Sequence, residues 1–99
     1  MDAQYVRYKW DPNKDAENRR KHDLSLEDGI PALEDPGAQS WIDDGPHEEW
    51  RFVTVGVAYP NVLVVITTQP VERTTRIISV RKAEPHEENW YRYGHPEAR

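Results

Sequence analysis

The chain contains no cysteine. That excludes a disulfide framework and any cysteine-based zinc site, and it fits a reducing compartment. Long apolar runs are also missing. The longest is Val62-Leu63-Val64-Val65-Ile66, far short of the ~20 residues that span a bilayer. Met1-Asp2-Ala3-Gln4 lacks the basic-then-apolar pattern of a secretory signal, so the expected location is cytoplasmic, with no membrane contact. No nucleophile motif, phosphate-cradling glycine loop or dinucleotide fingerprint occurs. Cations are outnumbered, 13 Lys and Arg against 18 Asp and Glu, for a net charge of −5. This balance argues against a protein that coats nucleic acid non-specifically, and it leaves room for a local basic site.

The 99 residues suffice for one modest core. Residues 1–93 are expected to form a single domain, and Gly94 to Arg99 a loose tail. Hydrophobic residues make up 36% of the chain but crowd between Phe52 and Val80, which marks a folded domain with polar ends. Tyr5 to Trp10 alternates as a short strand. Asp11-Pro12 starts a helix to about His22, with Asp as N-cap and Pro at the first helical position. Ala16 is the only aliphatic residue of that helix. Ser25-Leu26-Glu27-Asp28 opens a second helix, close to a capping box, with Leu26, Ile30 and Leu33 on its core face. Gly29 and Pro31 cost about 1 and about 3 kcal/mol in a helix interior, so two short pieces or a kink are expected.

Strands are expected at Ala38–Ile42, Arg51–Val57, Val62–Thr68 and Arg76–Lys82. Tyr59-Pro60-Asn61-Val62 forms a turn and Gln69 to Thr74 a loop around Pro70. A last helix runs from Pro85 to about Tyr93. Short connections between consecutive strands, with helices at both ends, imply an α+β fold: an antiparallel sheet with two N-terminal helices and one C-terminal helix.

Arg76-Ile77-Ile78-Ser79-Val80-Arg81-Lys82-Ala83 is the most informative stretch. Its β-branched residues read as strand, yet it carries two arginines and a serine, a combination suited to phosphate. On a regular strand Ser79 and Arg81 share a face and Arg76 takes the other, unless a bulge intervenes. One arginine is therefore expected at a site and the other in an ion pair with Glu49 or Glu87. In the first helix Lys14, Asn18, Lys21 and His22 fall on one stripe that lacks acidic partners. Cleaving RNA without a metal needs the 2′-hydroxyl deprotonated, the charge on phosphorus stabilised and the leaving oxygen protonated. Arg and Lys serve the second need, and a His can serve the first or third. The acidic segment Asp43, Asp44, His47, Glu48 and Glu49 offers metal-compatible ligand types, but its spacing matches no calcium or zinc motif, and a solvated loop is the better reading. Four tryptophans and five tyrosines could stack on bases; most serve packing, and Tyr91 is singled out because the last helix can bring its phenol to the last strand.

Taken together, Trp10-Asp11-Pro12-Asn13-Lys14, Asn18, Lys21-His22, Ser25-Leu26-Glu27-Asp28, Asp35-Pro36, Glu49, Arg51, Gly56, Leu63-Val64-Val65, Arg76 to Ala83, Glu87 and Tyr91 resemble the BrnT family. That family is the toxin half of a bacterial type II toxin–antitoxin pair, and the likeness covers about Tyr8 to Tyr91. It implies a RelE-like fold and RNA cleavage that halts translation, with no cofactor and no metal. It also implies neutralisation by a BrnA-type antitoxin, and contact with DNA only through that antitoxin. Carried over by position, Lys21, His22, Arg51 and Arg81 would be catalytic, and Lys14, Asn18, Arg76, Ser79 and Tyr91 would bind RNA.

Two readings of different class remain. In the first the chain is a metal-independent endoribonuclease. In the second it is a catalytically weak or inactive module of the same fold that mainly holds an antitoxin and repressor partner; the acidic Pro85-His86-Glu87-Glu88-Asn89 segment and the net charge favour this one. A metal-dependent hydrolase using the acidic loop is a remote third. Exposed sheet edges in so small a domain favour pairing, either with a second copy or with the antitoxin.

Overall fold

The computed structural model describes residues 6–43, 45–46 and 49–97. The start of the first expected strand at Tyr5, the acidic-loop residues Asp44, His47 and Glu48, and the last two residues of the expected tail lie outside the described residues. In chain order come β1 (Arg7–Lys9), α1 (Pro12–His22), a 3₁₀ turn (Leu26–Gly29), α2 (Ile30–Leu33), β2 (Gln39–Asp43), β3 (Arg51–Ala58), β4 (Asn61–Val71), β5 (Thr74–Lys82) and α3 (Pro85–Tyr93). The strands form one sheet in the order β1-β5-β4-β3-β2. The fold is α+β, but the sheet is mixed rather than purely antiparallel, because β1 pairs with β5 in parallel. The long excursion through α1 to β4 separates these two strands, as a parallel pair requires.

Local chemistry explains most boundaries. The Asp11 side chain accepts from Asn13 N–H at 2.8 Å and starts α1. Ser25 and Asp28 close a reciprocal capping box, and the second helix divides into a 3₁₀ turn and a short α2 at Gly29 and Pro31, in two pieces as expected. The expected loop around Pro70 is instead the end of β4. A register irregularity between Thr68 and Val71 removes the ladder bond that proline cannot make.

The main core lies on the helix side of the sheet, where Leu26 and Ala32 meet Leu63, Val65, Ile77 and Val80. The helical segment lies close against the strands. A Cβ on Gly56 would fall 2.2 Å from the Ala32 carbonyl oxygen, and one on Gly29 would fall 2.9 Å from Val80 Cγ2. The opposite face buries Val55 and Val64 and is crossed by α3, whose Trp90 meets Trp41 of β2 edge-to-face at 5.4 Å. After α3, His95 stacks on Trp41 with centroids 4.0 Å apart.

Helix α1 has no apolar face and docks by polar bonds. Asn18 is buried at 5% exposure. Its amide donates to the Val80 carbonyl at 2.9 Å and accepts from the Val80 N–H at 3.1 Å, so it caps the stretch of β5 edge that β1 leaves open. It also donates to the Leu24 carbonyl at 2.8 Å. One turn earlier, Asp15 accepts from Leu26 N–H at 2.8 Å.

Two substitutions test this packing. Asn18→Ala leaves the Val80 N–H and the Val80 and Leu24 carbonyls unpaired, at about 1–3 kcal/mol for each buried group, and should lower stability by at least about 2 kcal/mol in urea unfolding. Asn18→Asp keeps only the acceptor and should not restore it. Gly56→Ala forces the α2 backbone off β3 and should cost about 1–3 kcal/mol in the same assay.

Candidate functional site

Strand β5 is not regular. Its partner β4 places Thr68 opposite Arg76, Thr67 opposite Ile77, Ile66 opposite Ser79 and Val64 opposite Arg81, with Ile78 as the extra residue of a bulge. Residues 64, 66 and 68 share a sheet face, so Arg76, Ser79 and Arg81 share it too. The bulge thus overturns the simple count that sent Arg76 to the opposite side.

The register extends into one row across the sheet on the face that α3 occupies. Lys9 of β1 pairs with Arg76, and Arg76 with Thr68. Phe52 pairs with Thr67, which sets Arg51 beside Thr68, and Arg51 pairs with Asp43 of β2. Above this row lies a cleft of about 350 Å³ lined by Lys9, Trp10, Asp11, Lys14, Glu49, Arg51, Arg76 and Ile78. Helix α1 contributes Lys14 from its first turn, on the same stripe as the docked Asn18. Four cations therefore converge from four elements. Two carboxylates accompany them, and Asp11 already serves as the α1 cap. Glu49 accepts from Arg76 Nη1 at 3.2 Å, with both side chains partly exposed. Beneath the cleft, Arg51 Nε and Thr68 Oγ1 are buried without a hydrogen-bond partner.

The expected site residues thus divide. Lys14, Arg51 and Arg76 line the cleft. Ser79 stands between Arg76 and Arg81 on the same face. Lys21 is exposed and paired with Glu17 at 3.6 Å. His22 ends α1 half-buried, and neither it nor Lys21 lines the cleft. Asn18, Arg81 and Tyr91 hold the fold together. Arg81 makes a two-pronged pair with Glu87, Nη1 to Oε1 at 2.9 Å and Nη2 to Oε2 at 2.7 Å. Glu87 Oε1 also accepts from Glu84 N–H at the start of α3, so Arg81 clamps that helix to the sheet. Both β5 arginines are therefore in ion pairs, with Glu49 and Glu87 as their partners.

Tyr91 donates to Asp35 at 2.7 Å, and Asp35 also accepts from Val57 and Gly37 N–H groups. These bonds hold the Asp35 carboxyl below the usual carboxylate range, while the same contact pushes the Tyr91 phenol up. Lys9, which lines the cleft, and Thr68, which stands in the row beneath without lining it, were not legible from the sequence. Lys9 shows only strand alternation, and a threonine in an apolar strand carries no signal until its row neighbours are known.

A second cavity, about 640 Å³, lies at the other end of β3 and includes Ala58, Tyr59, Glu27 and Asp28 in its lining, with no cation. It suits apolar contact rather than phosphate. Among the described residues one group of metal-ligand type occurs, Glu84, His86 and Glu87. It lies at the start of α3, and Glu87 has both oxygens engaged as above. Among the described members of the acidic loop, Asp43 accepts from Gly45 N–H and Glu49 faces Arg76.

The profile of a family described as "Ribonuclease toxin, BrnT, of type II toxin-antitoxin system" matches residues 10–87. The crystal structure of the Brucella abortus ribonuclease toxin BrnT is similar, with a TM-score of 0.60 at 21% identity, covering 80% of this chain and 97% of that one. At that identity the likeness is one of fold. Comparison with curated protein sequences finds no match.

The carboxylate bonds set a pH dependence. The Arg81 fork, aided by the Glu84 N–H, holds Glu87 below its ordinary value, against the opposing effect of burial. A carboxyl lowered on folding stabilises above its unfolded pKa and loses that contribution as pH falls through the folded value. Stability should therefore drop as pH falls below about 4.5. Glu87→Gln should be less stable near neutrality and show a shallower decline, read as melting temperature from about pH 7 to about pH 3. At the alkaline end, burial and the Glu34 carboxylate push Tyr8 up to about 12. Its contribution should persist at pH 9 and fade between about 10 and about 12.

Proposed function

Because the chain belongs to the BrnT family of ribonuclease toxins of type II toxin–antitoxin systems, we propose that it is a metal-independent endoribonuclease that cleaves RNA and inhibits translation in the cytoplasm, with the cleft of Lys9, Lys14, Arg51 and Arg76 as its site. The observation that supports this most directly is the convergence of those four cations over one row of the sheet, in a chain whose net charge is −5. A phosphodiester gains negative charge as the 2′-oxygen adds to phosphorus, and fixed guanidiniums stabilise that charge where it develops. The Glu49 carboxylate, released from Arg76 when a phosphate takes its place, can accept the 2′-hydroxyl proton. The 2′-oxygen then bonds to phosphorus, the bond from phosphorus to the 5′-oxygen breaks, and a lysine ammonium returns a proton to the leaving oxygen. The products are a cyclic 2′,3′-phosphate and a 5′-hydroxyl.

A type II family implies an antitoxin, and we infer one of BrnA type, which would also supply any contact with DNA. The rival reading, a module that holds an antitoxin without cutting RNA, is favoured by one observation: both β5 arginines rest in ion pairs with this chain's own carboxylates.

Cleavage of a short RNA with chelator present separates the readings. Arg51→Gln and Arg76→Gln should each lower kcat/KM by about 100-fold or more while the fold holds. Arg81→Gln should act mainly on stability, by freeing α3. A folded parent that leaves RNA intact would favour the rival. Cleavage that depends on Arg81 but not on Arg51 or Arg76 would move the site away from this cleft.

A further inference from the structure

Among the described residues, Arg51 Nε and Thr68 Oγ1 are the two buried side-chain polar atoms without a hydrogen-bond partner. Buried polar groups are nearly always paired, so each such atom asks for an explanation. These two are neighbours. Thr68 lies in β4 at 2% exposure, with Arg76 opposite on β5 and Arg51 beside it on β3. Adjacent strands lie about 4.8 Å apart, so the two arginine stems rise about 10 Å from one another, astride the threonine. A tetrahedral phosphate bridged on both sides by N–H···O bonds of about 2.8 Å needs a gap of that order. The cleft lining takes in Arg51 and Arg76 and leaves Thr68 beneath it; it adds Lys9 and Lys14, while Trp10 and Ile78 supply its apolar part.

We propose that Thr68 is a substrate-contacting residue. Its hydroxyl and the Arg51 Nε–H donate to a single phosphodiester of an RNA strand, seated across β3, β4 and β5, with Arg76 closing the far side. This rests on the ribonuclease reading and narrows it to one phosphate seat. In the free protein the Glu49 carboxylate sits on Arg76, and a phosphate entering the seat exchanges for it. The seat assigns a role to both unpaired atoms and to the bulge at Ile78, which brings Arg76 to this face. The competing arrangement is internal, with Arg51 Nε–H leaning on Thr68 Oγ1 and no ligand involved.

The two arrangements predict opposite results for Thr68→Val, which keeps the shape and removes the hydroxyl. The probe is a short single-stranded RNA with 2′-O-methyl groups, which cannot be cleaved, followed by fluorescence anisotropy beside a urea unfolding curve. For a phosphate seat, Thr68→Val should bind about 10-fold more weakly. Its urea midpoint should be unchanged or higher, since no internal bond is lost, and Thr68→Ser should bind like the parent. Parental binding by Thr68→Val would overturn the proposal. So would a lowered midpoint, with or without weaker binding, because it marks an internal bond. If the parent itself does not bind the RNA, or binds regardless of Arg76→Gln, then the ribonuclease reading of the cleft fails, and the seat with it.

Discussion

The fold turns on a single side-chain amide. Helix α1 offers the sheet no apolar stripe, and hydrophobic burial alone would not hold it. Asn18 meets both backbone groups of Val80 where β5 runs past the end of β1, and so serves as a fragment of a missing strand. Because the bond is directional, it fixes the helix in rotation as well as in position. Lys14, one turn away on the same stripe, is thereby carried to the Arg76 end of β5. A helix held by packing alone could roll and take that lysine with it.

The negative charge of the chain takes on a different meaning once its carboxylates are placed. Asp11, Asp15, Asp28, Asp35 and Glu87 each accept from at least one backbone N–H at a cap, turn or strand. They are internal acceptors, tied to groups that would otherwise lack partners. The acidity of α3, which in the sequence weighs against RNA binding, belongs in part to this set: Glu87 faces Arg81 and the helix start. Of these five, Asp11 alone lines the cationic cleft, and a net charge summed over the chain cannot distinguish the two uses.

What the sequence made legible was local. Caps, helix breakers and alternation located α1, the divided second helix and α3, and the need to neutralise fixed charge pointed to Glu49 or Glu87 as partner of one β5 arginine, whereas both arginines are paired. What it concealed was non-local. Counting by twos along β5 assumed a regular ladder, and a bulge is invisible until the partner strand is in place. Pro70 looked like a loop residue because nothing marked the register irregularity that accommodates it. Lys9 joins the cleft, and Thr68 the row beneath it, only through pairings with β5. Lys21, His22 and Arg81 were drawn in by motif position, and the three-dimensional arrangement gives Arg81 to the fold and leaves the other two outside the cleft.

The bulge at Ile78 also bears on redesign of this scaffold. A designer idealising β5 would keep its length and pair Ile78 into the ladder opposite Thr67, since a straight ladder pairs better and twists less. Every charged residue would survive in composition. Yet from Ile77 back to Thr74 the strand would turn over, and Arg76 would point to the helix side of the sheet. The result would be a sounder sheet with its guanidinium on the wrong side. For this chain, regularity and chemistry pull against each other at one residue, and it is an isoleucine with no chemistry of its own.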